Sequence, residues 1–149
     1  MTLPSSIIGA FVLVAEKVLL EADGVPSIIR IADVFYVPPM PDPPVERAPI
    51  FMYIVASVRF KTTESTEHVL QLQLLRPSGE TKPIGNPNVL KSQPRVTGLG
   101  VPAGFNVIST VGVLPKESGV HYIVAMMDGE EIARTVITLV TEKDGPKSE

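Results

Sequence analysis

The sequence predicts an all-β fold: an antiparallel β-sandwich of seven or eight strands, immunoglobulin-like in plan. Three observations predict it. Apolar residues recur at every second position in several segments of about ten residues, the repeat of a strand with one buried face. Two Asp-Gly pairs, Asp23-Gly24 and Asp128-Gly129, each sit between apolar runs, and both residue types tolerate the positive φ of a tight hairpin turn. Proline takes 15 of the 149 positions, which disfavours long helices, because an interior proline removes a hydrogen bond and clashes with the preceding turn. A partly closed barrel is the alternative closure of the same strands. A hydrophobic share of 44% with a net charge of only −3 excludes a disordered chain.

The elements follow in order. Ala10 to Leu20 and Ser27 to Val37 read as two extended segments around the turn Glu21 to Pro26. In the first, Val12, Val14, Val18 and Leu20 share a face that Glu16 interrupts; helix is the competing reading by propensity, and frequent β-branched valine favours strand. Val37 to Pro49 is a proline-rich connector (Pro38, Pro39, Pro41, Pro43, Pro44, Pro49), extended and polyproline-like, suited to a crossover between sheets. Its two P-x-x-P spacings resemble a ligand for an aromatic groove, but Glu46 stands where a docking basic residue is wanted. Ile50 to Phe60 is the third strand, and Lys61 to Thr66 a polar turn. The fourth strand alternates Leu70, Leu72 and Leu74 with Gln71 and Gln73, and ends in the turn Arg76 to Glu80. Thr81 to Gly104 carries Pro83, Pro87, Pro94 and Pro102 and reads as a long irregular loop with room for a short strand over Val89 to Val96. Phe105 to Leu114, Val120 to Met127 and Glu130 to Thr141 complete the set. One domain over residues 1–141 and a flexible tail over 142–149 are expected.

Chemistry is sparse. The chain has no Cys, which excludes disulfide scaffolds, cysteine zinc sites and thiol catalysis. His68 and His121 have no second ligand at helical or turn spacing and read as strand-end residues, so no metal and no cofactor are expected. A hydrolase triad needs a histidine oriented by an acid, and nothing in the spacing supplies one; there is no G-x-S-x-G elbow. The glycines Gly98, Gly100 and Gly104 miss the dinucleotide fingerprint and precede a strand instead of a helix. Glu16 and Asp33 form the candidate carboxylate pair, since their strands flank the first hairpin and neighbouring carboxylates can share a proton. The competing reading puts both on the solvent face with Lys17 and Arg30 as partners. The 13 Lys and Arg are scattered with no two adjacent, which argues against nucleic acid and anionic membrane as partners. The apolar run Ile7 to Ala15 is too short to span a bilayer, and Met1 to Ser6 lacks the basic residues of a secretory signal, so a cytoplasmic location is expected.

Three segments carry a family resemblance: Ala15-Glu16 through Asp23-Gly24 to Ile31-Ala32-Asp33, Glu67-His68 through Leu75-Arg76-Pro77-Ser78-Gly79, and Gly119-Val120-His121-Tyr122 through Asp128-Gly129-Glu130. Their order and spacing resemble an uncharacterised family of small bacterial β-sandwich proteins, a domain of unknown function. Pro77-Ser78-Gly79 departs from the more acidic turn usual there. The resemblance implies the fold and a bacterial cytosolic source, and brings no activity, cofactor or catalytic residue.

The function expected from the sequence is therefore a non-enzymatic protein-interaction or structural module, with a protein partner or self-association. Its interaction loops are the connector (Pro38, Pro39, Met40, Pro41, Arg47) and the irregular segment (Pro87, Arg95). A small-molecule or carbohydrate-binding sandwich using Tyr36, Tyr53 and Tyr122 is the alternative, and an enzyme using Glu16 and Asp33 is third.

Overall fold

The computed structural model describes residues 2–38, 48–61, 66–92 and 103–141. Pro39, Met40, Pro41, Arg47, Arg95 and the tail 142–149 lie outside the described residues. The described chain is all-β and forms two sheets. Its strands are β1 (Ile7–Leu20), β2 (Pro26–Ile31), β3 (Val34–Val37), β4 (Ile50–Phe60), β5 (Thr66–Leu75), β6 (Thr81–Ser92), β7 (Ala103–Val113), β8 (Gly119–Met127) and β9 (Glu130–Thr141). One sheet has the order β2-β1-β4-β7, the other β3-β9-β8-β5-β6. Among the described residues no helix is long and apolar enough to cross a membrane.

Hairpins form where turn chemistry predicts them. At Asp23-Gly24 the Gly24 N–H donates to the Glu21 carbonyl (2.9 Å), and the Asp23 carboxylate accepts from the Val25 amide (3.0 Å). At Asp128-Gly129 both residues have positive φ, 50° and 86°, as a two-residue turn matching the twist of its strands requires. The Arg76 to Glu80 turn closes with Arg76 N–H on the Glu80 carbonyl and Gly79 N–H on the Arg76 carbonyl, both at 2.9 Å.

Strand alternation builds the core. Val12 and Val14 of β1 and Met52, Ile54, Ala56, Val58 and Phe60 of β4 face inward from the first sheet. They meet Leu70, Leu72 and Leu74 of β5, Ile123, Ala125 and Met127 of β8, and Ile137 and Leu139 of β9. The outer face of the first sheet retains exposed apolar side chains, among them Phe11, Ile31 and Phe51. The Phe51 ring lies over Gly112, its cross-strand partner, where a Cβ would meet the ring at 3.2 Å.

Two expectations are corrected. The strand count is nine, because the second expected segment is two strands in different sheets. The chain leaves β2 at Ala32-Asp33 and enters β3, which runs parallel to β9. Ala32 N–H donates to Val14 of the first sheet (2.9 Å), and Asp33 accepts from the Thr138 N–H of the second (2.6 Å). The second correction concerns residues 81–92, which form a strand and not a loop. β6 tolerates its prolines because it is an edge strand with one unpaired side. Pro83 pairs with Gln73, and Pro87 sits in an irregularity where Leu70 to Leu72 of β5 faces Ile84 to Asn88 of β6. Gly85, with φ of 65°, turns the backbone there.

Ile123 is fully buried on β8, which lies inside its sheet. Ile123→Ala should lower the unfolding free energy by about 2–5 kcal/mol. Pro87→Ala on the edge should change it by about 1 kcal/mol or less. Urea unfolding of both variants measures the contrast.

Candidate functional site

The residues singled out from sequence are dispersed. Pro38 is exposed just beyond β3, and Pro87 is exposed on β6. The Glu16 carboxylate lies 3.4 Å from Arg30 Nη1, with both side chains largely in solvent. Asp33 occupies the step between β2 and β3, with an exposed side chain. Tyr36, Tyr53 and Tyr122 stand on β3, β4 and β8, and the Arg134 guanidinium covers the Tyr122 ring at 5.2 Å from its centroid. Arg134 also binds Glu131 in a two-point ion pair (2.5 and 2.6 Å), which holds the Glu131 carboxyl below its usual range.

The two histidines are at opposite ends of the sandwich. Antiparallel register pairs Leu75 with Tyr122 and Leu70 with Met127, so His121 sits near the Arg76 end and His68 near the Asp128 end. His121 is buried in the core, its Nδ1 3.0 Å from the Gly119 carbonyl. Among the described residues no group of three His, Asp or Glu is placed to hold a metal.

His68 is the site that sequence reasoning passes over. It is in phase with Leu70, Leu72 and Leu74, so its ring turns to the inner face at the open rim of the sandwich. There it stacks on Phe60 of the facing sheet, with centroids 4.9 Å apart and planes 9° apart. Phe105 meets the same Phe60 edge-on. The side chain is 14% exposed. Its Nδ1 lies 2.6 Å from Asp128 Oδ2. Asp128 is itself fixed: its Oδ1 accepts from the Val69 amide (2.8 Å), and its own amide donates to the Val69 carbonyl (3.0 Å).

The hydrogen bond from His68 holds the Asp128 carboxyl below its ordinary value; partial burial opposes this, and the Val69 amide adds to it. An ionised carboxylate only accepts hydrogen bonds, so Nδ1 is the donor in this pair. The pair lines a cavity of about 220 Å³ together with Pro4, Ser6, Ile7, Met127 and Glu130. A larger cavity of about 290 Å³ lies at the Arg76 end, with Arg76 and Lys82 in its lining.

No family model matches the chain, and no curated protein matches it. Among solved structures it is similar to the Pseudomonas fluorescens alkylpurine DNA glycosylase AlkC bound to DNA containing an abasic site analog, at 11% identity and a TM-score of 0.48. The match covers 91% of this chain and only 30% of that one. It assigns no activity to this chain. That neighbour, a DNA glycosylase on DNA, stands in conflict with two expectations drawn from the sequence, a non-enzymatic interaction or structural module and the exclusion of nucleic acid as a partner; neither expectation is carried further.

Asp128→Asn keeps a residue type that accepts positive φ and removes the charge. A carboxyl with a depressed folded value stabilises the fold fully above its unfolded value, near 3.8. That contribution is lost as pH falls through the folded value. Wild type should exceed Asp128→Asn by a few tenths to about 1 kcal/mol near neutral pH, the modest size reflecting solvent screening. The difference should vanish well below pH 3.8, as urea unfolding at the two pH values will test.

Proposed function

We propose that the His68–Asp128 pair is the acid–base centre of a hydrolase. One observation carries the reading: the imidazole is fixed on two sides, by the 2.6 Å bond to a carboxylate and by the Phe60 ring, at the wall of a cavity. A histidine oriented through Nδ1 by an ionised carboxylate is the arrangement that general-base catalysis uses.

The reaction class follows from these groups. The His68 imidazole, held by Asp128, takes a proton from a water as the water oxygen bonds to an acyl or phosphoryl centre of the substrate. Asp128 remains ionised and stabilises the imidazolium so formed. The imidazolium then gives the proton to the leaving-group oxygen as its bond to the centre breaks. Ser6 and Glu130 are the other polar side chains at the cavity and are placed to orient the substrate.

Hydrolysis of p-nitrophenyl acetate and bis(p-nitrophenyl) phosphate tests this. Wild type should turn over one of them above buffer. His68→Gln should lose about 100-fold or more, with the fold checked by circular dichroism. Asp128→Asn should lose less. Wild-type rates equal to buffer on both probes, or a fully active His68→Gln, would sink the proposal.

A further inference from the structure

We infer that the cavity at the Arg76 end is a binding site for a phosphoryl group carried on an apolar or aromatic body. This stands independently of the hydrolase reading, since it uses different residues at the opposite end of β5.

The cavity lies between β6 and β7, the free edges of the two sheets. Its apolar walls are Leu74, Ile84, Val111 and Val113, and its cations are Arg76 and Lys82. Arg76 is the unusual component. Its side chain is only 2% exposed, and buried Nε and Nη1 make no hydrogen bond. Nε lies 3.2 Å from a Glu80 carboxylate oxygen without the alignment of a hydrogen bond. A guanidinium so placed is costly unless its donors are satisfied. The adjoining core repeats the pattern: His121, one register step past the Leu75–Tyr122 pair, has a buried Nε2 without a hydrogen bond.

Charge selects the ligand class. Glu80 is shared between Arg76 and Lys116, the latter at 3.8 Å. The cavity lining itself holds two cations, Arg76 and Lys82, and no carboxylate, while Glu80 and Glu117, the latter accepting from Ser78, sit in and beside the neighbouring turn. A phosphate monoester carries about −1.5 to −2 near neutral pH and offers three acceptor oxygens, which matches the cations of the lining. Arginine presents its donors in a fork suited to phosphate, and the amides of edge strand β7 that point away from β4 are further donors. The apolar walls take the organic part of the ester.

Isothermal titration with inorganic phosphate, adenosine monophosphate and a short single-stranded oligonucleotide without terminal phosphate tests the site and separates its sources. Adenosine monophosphate should bind more tightly than inorganic phosphate. Lys82→Gln, an exposed change that leaves the core intact, should weaken binding several-fold. Arg76→Gln, if folded by circular dichroism, should weaken it tenfold or more. Tighter binding of the oligonucleotide that is still lost in Lys82→Gln keeps the phosphoryl chemistry and assigns it to a strand backbone. No heat with any of the three ligands, or binding unchanged in Lys82→Gln, overturns the inference.

Discussion

Two backbone hydrogen bonds at one step of the chain set the geometry of the whole sandwich. At Ala32-Asp33 the polypeptide passes from the edge of one sheet to the edge of the other, bonded to Val14 before the step and to Thr138 after it. The step closes one flank and fixes the spacing between the inner faces. β3 then has to run parallel to β9, in an otherwise antiparallel molecule. β6 and β7 are the sheet edges at the other flank, and the larger cavity opens between them. The stack of His68 on Phe60 joins side chains of the two sheets, so its alignment depends on the same spacing.

β5 organises the chemistry along its length. His68, Leu70, Leu72, Leu74 and Arg76 share one parity, and the three leucines form a dry stretch between two polar ends. Eight residues of strand separate His68 from Arg76 by about 26 Å. The interior has no polar chain linking them, so each end faces its own cavity. At one end an imidazole is hydrogen-bonded to a carboxylate. At the other a guanidinium without aligned partners supplies charge.

Much of this architecture is written locally in the sequence. The alternation of Leu70, Leu72 and Leu74 and the two Asp-Gly turns identify strands and hairpins directly, because each depends on residues close in the chain. The exchange of sheets at Ala32-Asp33 is not legible in this way. It has no glycine or proline, and apolar residues continue on both sides of it. β6 is obscured for the opposite reason: Pro83, Gly85 and Pro87 are breakers in an interior strand but are tolerated at an edge with a bulge. The pairing of Glu16 with Arg30 was accessible as hairpin partners across a known turn. The pairing of His68 with Asp128 was not, since it joins residues 60 positions apart and needs the β5–β8 register. Parity alone places His68 inward with the leucines, and that signal was available.

The irregular edge of β6 also bears on how the molecule behaves in concentrated solution. An exposed strand edge with a full row of amides is a template on which further chains can stack into fibrils. Pro83 and Pro87 contribute no amide to such a row, the bend at Gly85 breaks its straight run, and the exposed Lys82 adds a charge that a stacked copy would have to neutralise. The residues that make this segment look least like a strand thus let it end a sheet while resisting colloidal growth.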